Sequence, residues 1–409
     1  MLSQFTVKNY KSIRDEMTFD MQATAITEHT DMIITDVDGE KYLPVSVIYG
    51  PNGGGKTNVL EAIHVLASKI LRPIFIAKSN ENDNEYTVKR LPIVPFAFDA
   101  SSANEPTEFE LFFRTSQAEY RYILKTEKES VQYEQLDRIK MDTGRKSALF
   151  VRNSEGIELK NSLGGLKVSE GLSNTIPLIS YLGLTYGENE IIADVVQWFE
   201  QKVDFLNYGN PLQELRMAIA ESDDSKELVL DMIKEMDLDI VDFRIEQDDK
   251  DRIEVYTTHA VDGHKVEISL EEESSGTKKL FGLLPFIAKS ILFGTTLIID
   301  ELDAKIHPLL LKYIIELYTD MTVNRHGAQL IFTSHDLSTM NSDVFRRDEI
   351  WFVAKGNSQN SKLYSLVEFK NSKGESVRKD AKFDKQYLEG KYGADPYLQK
   401  IIDWSEPNA

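Results

Sequence analysis

The chain has 409 residues, 41% of them hydrophobic, which is enough for a large core and for two or three lobes of ordinary size. It has no cysteine, which excludes a disulfide framework and a cysteine-ligated zinc site. Its 47 basic and 67 acidic residues give a formal net charge of −20. So acidic a chain is a poor non-specific binder of nucleic acid, which favours a protein partner and makes DNA contact secondary.

The apolar segments argue against export and membrane insertion. The first residues, MLSQFTVKNYKS, lack the apolar run of a signal peptide. The most apolar stretch, residues 280–299, contains Pro285, Lys289 and Gly294, so it predicts a core helix followed by a strand rather than a membrane span. We therefore expect a soluble, cytoplasmic protein with no membrane partner.

Two short strands are predicted at the start of the chain. Phe5 and Val7 belong to the first strand, Met17 and Phe19 belong to the second, and Lys11 lies between them. The pair fits an antiparallel flap beside the segment that follows. We expect Lys11 to be a surface lysine rather than a ligand contact.

Residues 45–58, VSVIYGPNGGGKTN, predict a strand, a glycine-rich turn and the start of a helix. Residues 50–57 fit G-x-x-x-x-G-K-[ST] at every fixed position. Glycines let the backbone curl so that several N–H groups point at one anion, and the positive end of the helix adds attraction. Lys56 is expected to reach the β- and γ-phosphates, and Thr57 to bind Mg²⁺ through its hydroxyl. The predicted phosphate-binding residues are Asn52, Gly53, Gly54, Gly55, Lys56 and Thr57.

The middle of the chain predicts a β-rich part and then a helical part. Antiparallel strands are expected at 109–114, 120–124, 131–133 and 148–151, and the glycine-rich stretch 161–171 marks a boundary between lobes. Three helices with apolar faces are expected between residues 176 and 238. These faces contain Ile191, Val195, Trp198 and Phe199, then Leu212, Leu215 and Ala218, then Leu228, Met232 and Met236. The helical part is too short for a long coiled-coil arm.

Residues 295–301, TTLIIDE, predict a buried strand that ends in two acids. Ligands bind at this carboxyl edge in open parallel sheets. Asp300 is expected to hold Mg²⁺ through water, and Glu301 to be the general base that polarises the attacking water. The alternative, a strand followed by a surface acidic turn, loses weight because a phosphate loop lies upstream.

Two histidines after the acidic pair are candidates, His307 and His335, and the next predicted strand is QLIFT at 329–333. His335 follows this strand and is expected to touch the γ-phosphate or its water. The alternative for Ser334-His335-Asp336 is a capping turn. His307 precedes Pro308, and we expect a structural role for it.

A second anion site is predicted at residues 270–280, LEEESSGTKKL, where small hydroxyl residues and a glycine begin an apolar helix. Its residues are Ser274, Ser275, Gly276 and Thr277. One ATP needs only one such helix start, so the second is expected to serve the ATP of a partner subunit. The alternative is a helix N-cap followed by glycine.

GPNGGGKT, ESSGTKK, LIIDELDAKIHP and FTSHD occur in this order, and the chain resembles an ABC-type ATPase head of the SMC, RecF and OLD group. The opening FTVKNYKSIRD also resembles that group. RRDEIWFV and KQYLEGKYGADPYL near the end make the chain most similar to the stand-alone RloA-, AbiLi- and AriA-like ATPases of bacterial anti-phage operons. The resemblance touches nearly the whole chain, although the helical lobe carries no specific motif.

The resemblance implies an α/β fold, an ABC-type P-loop ATPase head with a mixed sheet, an antiparallel β subdomain and a short helical lobe. Residues 1–160 would form the N-terminal part of the head, 161–240 the helical lobe and 241–409 the C-terminal part. Residues 50–57 would be the Walker A loop, Asp300 with Glu301 the Walker B pair, and His335 the switch histidine. Residues 274–277 would be the signature, and Asp303 would lie in the D-loop.

Three departures from the family pattern stand out. The signature reads ESSGT rather than LSGGQ, so Ser275 takes the place of a glycine. No Q-loop glutamine can be placed, and residues 96–99 are the only candidate region. OLD nucleases continue into a nuclease domain, whereas this chain stops at Ala409, so we expect any nuclease to be a separate protein.

The resemblance implies ATP and Mg²⁺ as cofactors and a homodimer or higher homo-oligomer through shared ATP sites. Two functions remain open. The first is a defence ATPase that senses a phage signal and controls a separately encoded toxic effector, such as a nuclease. The second is a RecF-like repair ATPase that acts on DNA. The charge of −20 and the missing coiled coil favour the first.

Overall fold

The computed structural model describes residues 1–78, 90–206, 223–236, 239–247, 253–370 and 374–394. The helix expected around Leu212, Leu215 and Ala218 lies outside these residues. So do the last residues of the motif KQYLEGKYGADPYL.

The described residues form eighteen strands and seven α-helices. The strands are β1 (Leu2–Lys8), β2 (Met17–Asp20), β3 (Ile34–Thr35), β4 (Lys41–Tyr42), β5 (Val45–Tyr49), β6 (Thr107–Arg114), β7 (Glu119–Glu127), β8 (Ser130–Ile139), β9 (Lys146–Asn153), β10 (Gly156–Leu159), β11 (Val203–Leu206), β12 (Ile240–Gln247), β13 (Ile253–Val261), β14 (His264–Ser269), β15 (Thr296–Ile299), β16 (Gln329–Thr333), β17 (Ile350–Lys355) and β18 (Ser361–Ser365). The helices are α1 (Lys56–Lys78), α2 (Leu178–Thr185), α3 (Glu190–Gln201), α4 (Asp223–Glu235), α5 (Ser275–Phe293), α6 (Pro308–Thr319) and α7 (Phe383–Leu388).

The central sheet has the strand order β11-β15-β16-β5-β17-β18. Its first five strands are parallel, and β18 is antiparallel to β17. Strands β5, β15 and β16 are buried along their whole length, which suits their apolar and β-branched residues. Because these three strands are parallel neighbours, the loops after Tyr49, Ile299 and Thr333 emerge at one edge.

The second large sheet is antiparallel, with the order β10-β9-β8-β7-β6-β1-β2. Strands β6 and β7 alternate between buried and partly buried residues, the period-2 pattern of a sheet that packs on one face. The flap expected at the start of the chain is therefore the β1–β2 edge of this sheet. Two smaller sheets contain β12-β13-β14 and β3-β4.

Two apolar cores lie on the two faces of the central sheet. Ile48, Ile298 and Ile331 belong to the first core, with α1, α2, α3 and the antiparallel sheet. Their chain neighbours Val47, Ile299 and Phe332 belong to the second core, with α4, α5 and α6. Successive residues of a strand point to opposite faces, which produces this division. The predicted fold class, an α/β protein with a mixed sheet and an antiparallel sheet, is confirmed.

In the described part of residues 176–238, one element differs from the helical expectation. Helices α2 and α3 are followed by β11, which pairs in parallel with β15 at the edge of the central sheet. Asp204 in β11 receives hydrogen bonds from Lys289 Nζ at 3.0 Å and from Thr295 Oγ1 at 3.1 Å. The four-residue strand has no sequence period of its own, so only its tertiary partners identify it.

Among the described residues no helix is both long and apolar enough to cross a membrane.

Candidate functional site

The glycine-rich loop follows β5 and ends where α1 begins at Lys56. Gly55 has a φ of +108°, and a Cβ there would lie 2.7 Å from Ser12 Oγ. A Cβ at Gly54 would lie 2.9 Å from the carbonyl oxygen of Pro51. Only glycine satisfies both the conformation and the space at Gly55, so the loop needs its glycines for its shape.

Two serines that the sequence reasoning missed support this loop. Ser361 Oγ, at the start of β18, donates to Gly54 O at 2.7 Å and lies 2.8 Å from Ser12 Oγ, whose hydroxyl can donate to it. Asn58 Nδ2, in the first turn of α1, donates 2.7 Å to Ser12 Oγ. The β1–β2 connection and the β17–β18 hairpin therefore fix the loop from two sides. No sequence signal links single serines that lie so far apart.

Lys56 and Thr57 have different hydrogen-bond partners. Lys56 is 7% exposed, and its Nζ donates to the carbonyl oxygens of Gly50 at 2.9 Å and Pro51 at 3.4 Å. Burial lowers the pKa of Lys56, and the carboxylates of Asp300, Glu301 and Asp303 oppose that shift. Thr57 Oγ1 instead donates 2.8 Å to Asp300 Oδ2.

Thr333, the last residue of β16, holds both acids that follow β15. Its Oγ1 donates 2.5 Å to Asp300 Oδ1 and accepts the backbone N–H of Glu301 at 2.7 Å. Sequence reasoning missed this residue, although a threonine that ends an apolar strand next to His335 is a readable signal. Asp300 thus joins the phosphate-loop helix to the two neighbouring strands.

The turn after Asp300 has unusual backbone geometry. Glu301 has a φ of +52° and Lys305 a φ of +62°, in the left-handed region that non-glycine residues seldom occupy. Asp303 Oδ2 accepts the backbone N–H of His335 at 3.0 Å. The carboxylate of Glu301 is exposed at the edge of the sheet. Strained residues of this kind concentrate at functional sites.

The two histidines differ in their surroundings. His335 is exposed, while Ser334 Oγ and the Asp336 carboxylate on either side accept backbone N–H groups of the same turn. The next described helix is α7 at Phe383–Leu388, so this turn caps no helix, and the imidazole of His335 is exposed. His307 Nδ1 accepts the N–H of Leu309 at 3.2 Å and caps α6, a structural role.

Ser274 caps α5, because its Oγ accepts the N–H of Thr277 at 3.1 Å. Ser274 and Ser275 are exposed. A Cβ at Gly276 would lie 3.5 Å from the carbonyl oxygen of Lys305, an ordinary contact. In the described part of the chain, no hydrogen bond or ion pair joins residues 274–277 to the phosphate loop.

The predicted residues thus fall into two groups. One group lies at one edge of the central sheet and contains the phosphate loop, Asp300, Glu301, Asp303 and His335. The other group, residues 274–277, lies at the start of α5 beside the turn that carries Asp303.

The candidate Q-loop region, residues 96–99, contains no glutamine. There the N–H of Phe96 binds Asn9 Oδ1 at 2.9 Å. Lys11, expected at the surface, pairs with Glu61 on α1.

A family model described as “AAA domain, putative AbiEii toxin, Type IV TA system” matches residues 45–341, more than half of the chain. The chain belongs to this AAA domain family. The matched span runs from β5 through the turn after β16, so it includes every predicted site residue of this AAA protein. No curated protein matches the sequence.

Solved SMC head structures are similar to this AAA protein over 89% of its chain. An SMC head bound to the C-winged helix domain of ScpA is 12% identical, with 97% of that chain covered and a TM-score of 0.47. The SMC head domain from Thermotoga maritima is 14% identical, with 98% covered and a TM-score of 0.41. A head with an extended coiled coil, bound to the C-terminal domain of ScpA and derived from Pyrococcus furiosus, is 13% identical, with 96% covered and a TM-score of 0.41.

The donor set of the AAA protein fits a magnesium-bound nucleotide. Mg²⁺ prefers oxygen ligands and is usually held by one or two carboxylates, waters and substrate phosphates. Thr57 Oγ1 and Asp300 Oδ2 are such oxygens, 2.8 Å apart at the edge of the sheet. The narrow space around Gly54 and Gly55 keeps the loop backbone in the form that approaches phosphate.

Thr333→Val tests whether this threonine holds the acidic turn. Valine keeps the shape but removes the hydroxyl, so Asp300 loses a donor and the Glu301 N–H loses its acceptor. We expect the free energy of unfolding to fall by about 1–3 kcal/mol, measured by urea denaturation. The control is Thr35→Val, on an exposed residue of β3. Equal stability of the two variants would contradict this role of Thr333.

Proposed function

We propose that the protein binds ATP with Mg²⁺ at the carboxyl edge of its central sheet and hydrolyses it to ADP and phosphate. The observation that carries this proposal is the 2.8 Å hydrogen bond from Thr57 to Asp300, residues 243 positions apart. It brings the phosphate loop and the acidic pair to one ligand. A glycine-rich helix start facing a carboxylate suits a magnesium-bound triphosphate.

Lys56 is proposed to bind the β- and γ-phosphates. Its Nζ is held by the carbonyl oxygens of Gly50 and Pro51, so it already lies within the loop. Phosphate oxygens would replace these carbonyls as charge-assisted acceptors, which are the stronger kind. The negative charge of the triphosphate would also offset the burial that lowers the pKa of Lys56.

Hydrolysis needs a base and a group that stabilises developing charge. Mg²⁺, held through Thr57 and Asp300, would supply a Lewis acid at the phosphates. In the proposal, a carboxylate oxygen of Glu301 accepts the proton of the attacking water. His335 donates a hydrogen bond to the γ-phosphate as negative charge builds there. Asp303 aids this step by binding the backbone N–H of His335.

Residues 274–277 are proposed to bind the γ-phosphate of ATP held by a second copy of the chain. Their place at the start of α5, with Ser274 and Ser275 exposed, supports this role. Two ATP molecules between the two copies would close a head-to-tail homodimer. Hydrolysis would open it.

The homodimer is proposed to control a separately encoded toxic effector, of the nuclease class, in bacterial anti-phage defence. The family description names a toxin of a toxin–antitoxin system, which supports this class of role. The net charge of −20 supports a protein partner over DNA. Within the family, we place the chain with the stand-alone RloA-, AbiLi- and AriA-like ATPases, in the cytoplasm.

Lys56→Ala and Glu301→Gln separate binding from chemistry. Lys56→Ala removes charge-assisted hydrogen bonds worth about 1.5–3 kcal/mol each, so ATP affinity measured by calorimetry should fall at least about tenfold.

Glu301→Gln keeps the size but removes the base, so turnover should fall about 10²–10⁴-fold while ATP still binds. Wild-type affinity of Lys56→Ala, or wild-type turnover of Glu301→Gln, would refute the corresponding role.

Gly276→Asp tests the shared site. The side chain has room within the subunit, and an acid in the first turn suits a helix, so thermal stability should be kept. The acid would face the partner's γ-phosphate, so ATP should bind within a few-fold of wild type but hydrolysis should stop. Mixing inactive Gly276→Asp with inactive Lys56→Ala should restore part of the activity, because one of the two ATP sites in a mixed dimer then pairs an intact phosphate loop with intact residues 274–277. Unchanged turnover of Gly276→Asp would rule out the shared site.

Effector control is tested by co-expressing the chain with the protein encoded beside it. We expect a complex whose native mass changes when ATP is added, and no ATP-dependent change for Lys56→Ala. The control is Lys278→Met, which leaves the phosphate loop intact. Absence of a complex, together with ATP turnover that DNA stimulates, would instead support the RecF-like alternative.

A further inference from the structure

Lys279 lies on the buried side of α5, three residues after Gly276, and is 8% exposed. Its Nζ donates to the carbonyl oxygens of Leu302 at 3.1 Å and Glu301 at 3.2 Å, and also to that of Ala304. One ammonium group therefore binds three carbonyls of the turn that carries the acidic pair.

Packing alone does not explain a lysine here. Burial of an ammonium group is unfavourable, and it lowers the pKa of Lys279 to about 8. Glu301 and Asp303 act against this shift, whereas Lys305 adds to it. An apolar side chain of similar length would fill the space without that cost, but it would leave the three carbonyls without this donor.

Other hydrogen bonds also hold this turn, because Thr333 O accepts the N–H of Leu302 at 3.2 Å, and Glu301 O and Asp303 O accept the N–H groups of Ala304 and Ile306 at 3.1 Å. Glu301 and Lys305 both have positive φ, so the turn is strained at these two residues. Three carbonyls that converge on one Nζ require a single arrangement of this turn. That arrangement also sets Asp303, which binds the backbone N–H of His335.

The same turn contacts the start of α5. Lys305 O lies 3.5 Å from the position of a Cβ at Gly276. The helix start, Lys279 and the turn are thus one connected unit. A displacement of the helix start would move Lys279, and with it the carbonyls of Glu301 and Leu302.

We propose that Lys279 is a positioning residue that couples the two ATP sites of the dimer. When residues 274–277 of one subunit close over the partner's ATP, Lys279 of the same subunit transmits this movement to the turn that carries Glu301. That turn serves the subunit's own ATP. The inference rests on the proposed function, because it needs ATP hydrolysis and a shared site. Lys279 touches neither nucleotide in this scheme and acts only through the backbone around Glu301.

The test compares Lys279→Met with the matched variant Lys278→Met. Lys278 is the next residue on the same helix, but its Nζ binds Glu271 rather than the turn. We expect Lys279→Met to keep ATP affinity within about threefold and to lose at least about tenfold in kcat, because small misplacements of catalytic groups are costly. Because the scheme couples the two sites, the wild-type rate should depend cooperatively on ATP, and Lys279→Met should lose this cooperativity. Lys278→Met should match the wild type in all three.

Hydrogen exchange gives a readout that does not depend on turnover. The backbone amides of residues 301–306 should exchange faster in Lys279→Met than in Lys278→Met. Lys279→Gln, which keeps a neutral donor, should fall between Lys279→Met and the wild type, and it replaces Lys279→Met if that variant does not fold.

The outcomes separate the two proposals. A wild-type protein without ATPase activity would refute the proposed function. Active wild type with unchanged kcat, cooperativity and exchange in the Lys279 variants would overturn the coupling role alone. A lower melting temperature with unchanged kcat and cooperativity would likewise overturn it, since Lys279 would then be only structural.

Discussion

The hydrogen bonds to Asp300 are the interaction on which the site depends. Thr57 at the start of α1 and Thr333 at the end of β16 bind its two carboxylate oxygens. The helix after the phosphate loop and two parallel strands therefore meet at one side chain. Because the strands end at the same edge, the exposed residues Glu301 and His335 both lie at that edge of the sheet. Any shift of one strand along its neighbour would separate these groups.

The loop and the acidic turn both have backbone conformations that few residue types can adopt. Gly55 has positive φ in a narrow space, and Glu301 has positive φ without being glycine. Each is held by polar groups from distant parts of the chain, the loop by Ser12 and Ser361 and the turn by Thr333. Distant supports of this kind keep a strained functional backbone in one conformation. They also keep it ready for a ligand before the ligand arrives.

Two buried lysines have different roles in the proposed ATP cycle. Lys56 is held by carbonyls of the phosphate loop, and Lys279 by carbonyls of the acidic turn. Burial lowers the pKa of both. In the proposed cycle, phosphate oxygens of ATP replace the loop carbonyls as acceptors for Lys56. Lys279 stays bound to the carbonyls of the acidic turn and transmits movement of α5 to them. Lys56 would respond to the subunit's own nucleotide, and Lys279 would respond to the nucleotide of the partner subunit.

The sequence by itself determined the local chemistry and the fold class. The glycine-rich loop, the acids after the apolar run 295–299 and the alternation in β6 and β7 could be read directly, because each depends on neighbouring residues. Only the tertiary structure decided β11, a four-residue strand recognised by its partner β15, and the contacts of Ser12, Ser361, Thr333 and Lys279. These contacts depend on hydrogen bonds between residues far apart in the chain. A single polar residue has no periodicity, so its partner is set by how the strands are ordered in the sheet.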